Sequence, residues 1–137
     1  MNAEERKKLV QQLLQSAHAR ADQEARIIRE KENPSLEFVY LHLRRYILAK
    51  YMLTEDCEEE EIHSLVELSL ARTMKLDQKL IKELDKATTC DKISSASAKK
   101  ILLLYAIQKD LRIHPDAAML TTRKTVGELA ELVHSLL

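Results

Sequence analysis

Ser97-Ala98-Lys99-Lys100-Ile101-Leu102-Leu103-Leu104-Tyr105-Ala106-Ile107-Gln108-Lys109-Asp110-Leu111-Arg112-Ile113 is the stretch on which the fold turns. It is strongly apolar through Ile101 to Leu104, Tyr105, Ile107 and Leu111, and it holds no Gly or Pro, so residues 97–111 read as a helix. Leu103 and Leu104 stand mid-helix and are expected in the core. The uninterrupted apolar cluster is only seven residues long, Ile101 to Ile107, far short of a bilayer span.

Upstream, Thr88 to Ser97 (TTCDKISSAS) is a polar connection rich in cap-forming side chains. Before it the spacing predicts a short helical piece at 77–87 and a helix at 60–74, with Ile62, Leu65, Val66, Ser69, Leu70 and Met74 on one side. Downstream, Pro115 and Asp116 mark a loop. The last helix starts near Val126, with Leu129, Leu132, Val133 and Leu136 facing inward. Thr125 is its expected N-cap, and Glu128 completes a capping box.

The N-terminal part is of another kind. Residues 2–32 read as one long polar helix with a thin stripe of Leu9, Val10, Leu13, Leu14, Ala17, Ala21 and Ile28. Asn33-Pro34 ends it, because the residue before proline is driven out of the α region. Ser35 then caps a helix over 36–53 that is apolar on most sides and carries Phe38, Tyr40, Tyr46 and Tyr51. Such a helix must be buried centrally or form an interface, so it is expected either to lie between helix 2–32 and the rest of the chain or to serve as a homodimer seam. The acidic run Glu55, Asp56 and Glu58 to Glu61 reads as a loop whose second half opens the next helix, at the positive end of its dipole.

Composition narrows the function classes. The single Gly127 excludes Walker-type and dinucleotide-binding loops, and with two Pro it leaves too few turn residues for an all-β fold. With 45% hydrophobic residues there is enough apolar material for a core, so disorder is not expected. Twenty-two basic residues balance 22 acidic ones, and a chain of zero net charge lacks the phosphate-neutralising excess of a nucleic-acid binder. Tyr40, Tyr46 and Tyr51 with Arg44, Arg45 and Lys50 therefore read as aromatic core contacts with a basic wet side. The charged first ten residues are not a signal peptide. Cys57 and Cys90 match no metal spacing and read as free thiols in a reducing, cytoplasmic compartment. His63 with Glu59 and Glu67 reads as a solvated ladder rather than a metal trio. Without a Gly-rich oxyanion turn near Cys90, no enzyme is expected.

Over residues 58–137 the chain resembles an acyl carrier protein. The resemblance lies in the serine-led helix from Ser97 to Ile113 and in Thr125-Val126-Gly127-Glu128-Leu129-Ala130-Glu131-Leu132-Val133, which is similar to the Thr-Val-Gly-Asp-Leu start of that family's last helix. The resemblance implies an all-α, acyl-carrier-like four-helix bundle at 58–137, preceded by a helical extension at 1–57. It implies a 4'-phosphopantetheine arm on Ser97, carrying an acyl or peptidyl group as a thioester. Biosynthetic or modifying enzymes would dock at Lys99, Lys100 and Ile101. A serine at a helix N-terminus suits a phosphodiester, because the backbone N–H groups and the dipole favour negative charge there. Ser97 equally reads as a plain N-cap, or as a relic position in a carrier fold used only to bind proteins. Ala96-Ser97-Ala98 replaces the family's Asp-Ser-Leu, and Lys99, Lys100, Lys109 and Arg112 replace its acidic helix face. A partner would therefore present carboxylates.

Overall fold

The computed structural model describes the backbone of residues 2–76 and 95–137, with the side chains of 2–71 and 98–137. The expected piece at 77–87, the polar connection up to Ser94 and Cys90 lie outside the described residues.

The described chain is all helical: α1 (Ala3–Glu30), α2 (Leu36–Lys50), α3 (Ile62–Leu76), α4 (Ser95–Leu111), α5 (Ala117–Thr121) and α6 (Val126–Leu136). Local chemistry explains most of the boundaries. Asn2 caps α1 in a capping box with Glu5, each side chain accepting from the other's backbone N–H. The Ser35 hydroxyl accepts from the Phe38 N–H at 3.1 Å, which starts α2 where the sequence places its cap.

Helix α2 ends at Lys50, three residues earlier than the apolar run suggests. The Leu53 N–H donates to the Leu48 carbonyl (2.8 Å) and the Met52 N–H to the Ala49 carbonyl (3.1 Å), with Met52 left-handed at φ 58°. That is a Schellman closure with methionine where glycine usually sits. The end of α4 is built alike: Arg112 has φ 56°, and the Ile113 N–H donates to the Gln108 carbonyl at 3.1 Å. Both closures turn an apolar residue, Leu53 or Ile113, back into the core.

Helix α3 begins at Ile62 rather than residue 60, because Glu60 and Glu61 are engaged elsewhere. Glu61 and Thr125 form an isolated antiparallel bridge. In it the Ile62 N–H donates to the Lys124 carbonyl and the Val126 N–H to the Glu60 carbonyl, both at 2.9 Å. This bridge sets the starts of α3 and α6 side by side. It also changes the expected capping box of α6. The Thr125 hydroxyl accepts from the Glu128 N–H (3.1 Å), but the Glu128 carboxylate accepts from the Lys124 N–H (3.0 Å), one residue upstream.

The acidic run is likewise not a helix start. It lies in the loop before α3, gathered by the half-buried Arg44, which donates to the Glu59 carbonyl (3.0 Å), the Glu60 carboxylate (2.7 Å) and the Cys57 carbonyl. Short α5, which the sequence reading leaves as loop, seats the buried Leu120.

One hydrophobic cluster draws residues from all six described helices. Ala21, Ala25 and Ile28 of α1 meet Val39, Leu43 and Ile47 of α2, and the same cluster holds Ile62 and Leu65 of α3, Leu103, Leu104 and Ile107 of α4, and Leu129 and Val133 of α6. Helix α2 packs against both α1 and α6, which accounts for its surplus of apolar surface. Leu36 and Leu41 are the large aliphatic residues it leaves exposed. Alanines carry the α1 side of the α1–α2 contact, and small side chains allow two helices to approach closely.

Candidate functional site

The start of α4 rests on Tyr51, the residue that caps α2. Tyr51 is 3% exposed, and burial pushes its hydroxyl well above the ordinary tyrosine range. That hydroxyl donates to the Lys99 carbonyl at 3.4 Å. The Lys99 ammonium stands over the Tyr51 ring, 5.6 Å from its centroid. From α3, the buried Ser69 hydroxyl donates to the Tyr51 carbonyl at 2.7 Å. Tyr51 thus joins the end of α2, the middle of α3 and the first turns of α4.

Ser97 lies in the first turn of α4, which begins at Ser95. It is therefore a helical residue rather than the cap that precedes the helix, and its side chain lies outside the described residues. Lys99 and Lys100 are both half-buried, and burial lowers the Lys99 pKa. Lys99 is turned toward Tyr51, so the two lysines are not an equivalent exposed pair.

Ile101 is followed by an apolar strip that the sequence reading missed. Ile101, Leu102 and Tyr105 are 59%, 67% and 70% exposed, on the side of α4 opposite Leu103, Leu104 and Ile107. Lys109, further along the same helix, and Arg112, just past its end, are exposed. Its one acid, Asp110, is turned inward, where its carboxylate accepts from the Tyr46 hydroxyl (2.6 Å) and lies 3.8 Å from the Lys50 ammonium. The outer face of α4 is thus apolar at its start and cationic at its end. The signal was in the sequence: α4 has apolar residues on all sides, more than a one-sided helix needs.

The other candidate residues are placed as follows. Tyr46 and Tyr51 are buried. Tyr40 is half-buried and donates to the Glu60 carboxylate, and burial followed by that carboxylate raises its pKa. His63 and Glu67 pair at 3.0 Å on an exposed surface, while the Glu59 carboxylate accepts instead from the Glu61 N–H. Among the described residues no three His, Cys, Asp or Glu side chains gather as a metal site, and no described helix is long and apolar enough to cross a membrane. Compared with known proteins, the chain matches no family model, and neither a curated protein nor a solved structure is significantly similar to it.

Proposed function

We propose that this chain is an atypical acyl or peptidyl carrier, with Ser97 as the attachment point of a 4'-phosphopantetheine arm. The observation that carries the reading is the position of Ser97. Residues 62–137 supply four described helices in order, α3, α4, α5 and α6, and Ser97 stands in the first turn of the second. At a helix N-terminus the backbone N–H groups and the positive end of the dipole favour a phosphodiester. The protein has no chemistry of its own on this reading. It presents the thioester to biosynthetic or modifying enzymes in the cytoplasm, and they dock over Lys99, Lys100 and Ile101. The exposed Leu102 and Tyr105 extend that surface, and the cations along α4 favour a partner that presents carboxylates.

A second reading, an unmodified helical adaptor on the same fold, is favoured by the same apolar strip. Three large exposed side chains clustered within two turns of a helix suit protein docking with or without an arm. Intact-mass measurement after co-expression with a broad-specificity phosphopantetheinyl transferase separates the two. A mass gain equal to the arm, absent in Ser97→Ala, is expected for the carrier. No gain with several transferases rejects the carrier and leaves the adaptor.

A further inference from the structure

Two surfaces of this chain combine exposed apolar groups with unpaired charge, and the charges are opposite. The first is the N-terminal half of α1, where Leu9, Leu13 and Leu14 are 45%, 36% and 41% exposed. The exposed Arg6, Lys7 and Lys8 lie beside them, and no ion pair engages them among the described residues. Helix α1 runs antiparallel to α2: Glu24 meets His42 at 2.6 Å, and Arg20 lies beside Leu48, Ala49 and Leu53. Residues before Ala17 therefore continue past the last turn of α2, and none of them is buried.

The second surface lies at the other end of α2. A groove of about 310 Å³ between α2 and α6 is lined by Leu36, Glu37, Tyr40, Gly127, Ala130 and Glu131. Glu37 and Glu131 are exposed and stand outside any ion pair of the described residues. Gly127 is the chain's only glycine, yet nothing among the described residues requires glycine there. Its φ is not positive, and a Cβ would meet only the Thr125 hydroxyl, 3.9 Å away. Glycine weakens a helix relative to alanine. What its missing side chain leaves open is the groove wall, where another chain can approach the backbone.

We propose that this groove receives the N-terminal half of α1 from a second copy, in a reciprocal dimer. Leu9 and Leu13 would seat against Leu36 and the bare Gly127, with Arg6, Lys7 and Lys8 facing Glu37 and Glu131. One copy cannot satisfy itself, because the two surfaces lie at opposite ends of α2. The exposed strip of α4 is a poorer seat, since Lys109 and Arg112 would repel the same cations. Zero net charge leaves no overall repulsion between copies. The inference does not depend on the carrier reading.

Sedimentation velocity of the full chain over a range of concentrations tests it. A concentration-dependent dimer that weakens with salt is expected. Gly127→Leu fills the groove, and Leu9→Glu with Leu13→Glu breaks the stripe; each variant should be monomeric with an unchanged circular dichroism spectrum. Mixing the two should restore a 1:1 heterodimer, about tenfold or more weaker because only one seat survives. If Gly127→Leu fails to fold, Glu37→Lys with Glu131→Lys replaces it, with rescue expected from Lys7→Glu and Lys8→Glu. A monomer at every concentration, a dimer that survives the groove variants, or a mixture that stays monomeric overturns the proposal. The last result is what stripe-to-stripe pairing would give.

Discussion

Tyr46 of α2 donates its hydroxyl proton to the carboxylate of Asp110 on α4, at 2.6 Å, beneath a core in which the tyrosine is wholly buried. The pair joins residues 64 positions apart and ties the end of α4 to α2. Burial, and then the adjoining Asp110 carboxylate, push the Tyr46 hydroxyl far above the ordinary tyrosine range.

Stability should therefore fall in alkali. The folded-state pKa values of Tyr46, Tyr51 and Tyr40 are raised, so above pH about 10 the unfolded chain releases protons that the folded chain retains. The stabilisation is fully present below that pH and is lost as pH rises further. Tyr46→Phe should cost about 1–2 kcal/mol at neutral pH and flatten the alkaline decline. Urea melts at pH 8 and pH 10.5 test this; an unchanged decline in Tyr46→Phe would show that the hydroxyl is not protected.

Lys99 acts in the opposite sense. Its folded-state pKa is lowered by burial, so the unfolded chain holds the proton more tightly and stability rises with pH through the window just below the ordinary lysine value. Lys99→Met should be at least as stable as the native chain at neutral pH and should decline more steeply in alkali. A clear loss at neutral pH would mean that the cation over the Tyr51 ring stabilises more than its burial costs.

The left-handed Arg112 is an available point of stabilisation. A non-glycine residue in this conformation is strained by about 1–2 kcal/mol. Arg112 is exposed, so its removal loses little packing. Arg112→Gly should raise stability by about 1 kcal/mol in a denaturant melt. Destabilisation would indicate that the guanidinium holds a contact stronger than the strain.

Adjacent leucines on α4 should behave oppositely. Leu103 is 3% exposed and Leu102 is 67% exposed. Leu103→Ala should cost about 2–5 kcal/mol, and Leu102→Ala should stay within about 0.5 kcal/mol of the native chain. Equal losses at the two positions would place the wrong face of α4 in the core.

Residues 58–137 should not fold cooperatively by themselves. Leu129 and Val133 belong to a cluster that continues into Val39, Leu43 and Ile47 of α2, and removing α2 would open that face to water. The fragment is expected to show a shallow urea melt by circular dichroism. A sigmoidal melt of native-like slope would separate residues 1–57 as a dispensable extension.

Features that act within a turn of helix were legible in the chain itself. Ser35 and Thr125 cap their helices because a hydroxyl reaches an N–H three residues ahead in any context, and Pro34 forbids the preceding helix to continue. The mid-helix burial of Leu103 and Leu104 followed from their position in the most apolar stretch. The same local logic put Ser97 at the start of α4 but could not say which side of that helix would face water, because Ile101 to Tyr105 are apolar almost all round. Only the tertiary structure decided that. Tyr51, 48 residues before Lys99, holds the start of α4 and leaves Ile101, Leu102 and Tyr105 outside. The early end of α2 was equally hidden, since Met52 carries none of the glycine signal that a left-handed closure usually gives, whereas α4 ends at Leu111 as its apolar run indicates. Arg44's grip on the acidic loop and Tyr46's bond to Asp110 depend on chain segments far apart in sequence, and no periodicity records which of them will meet.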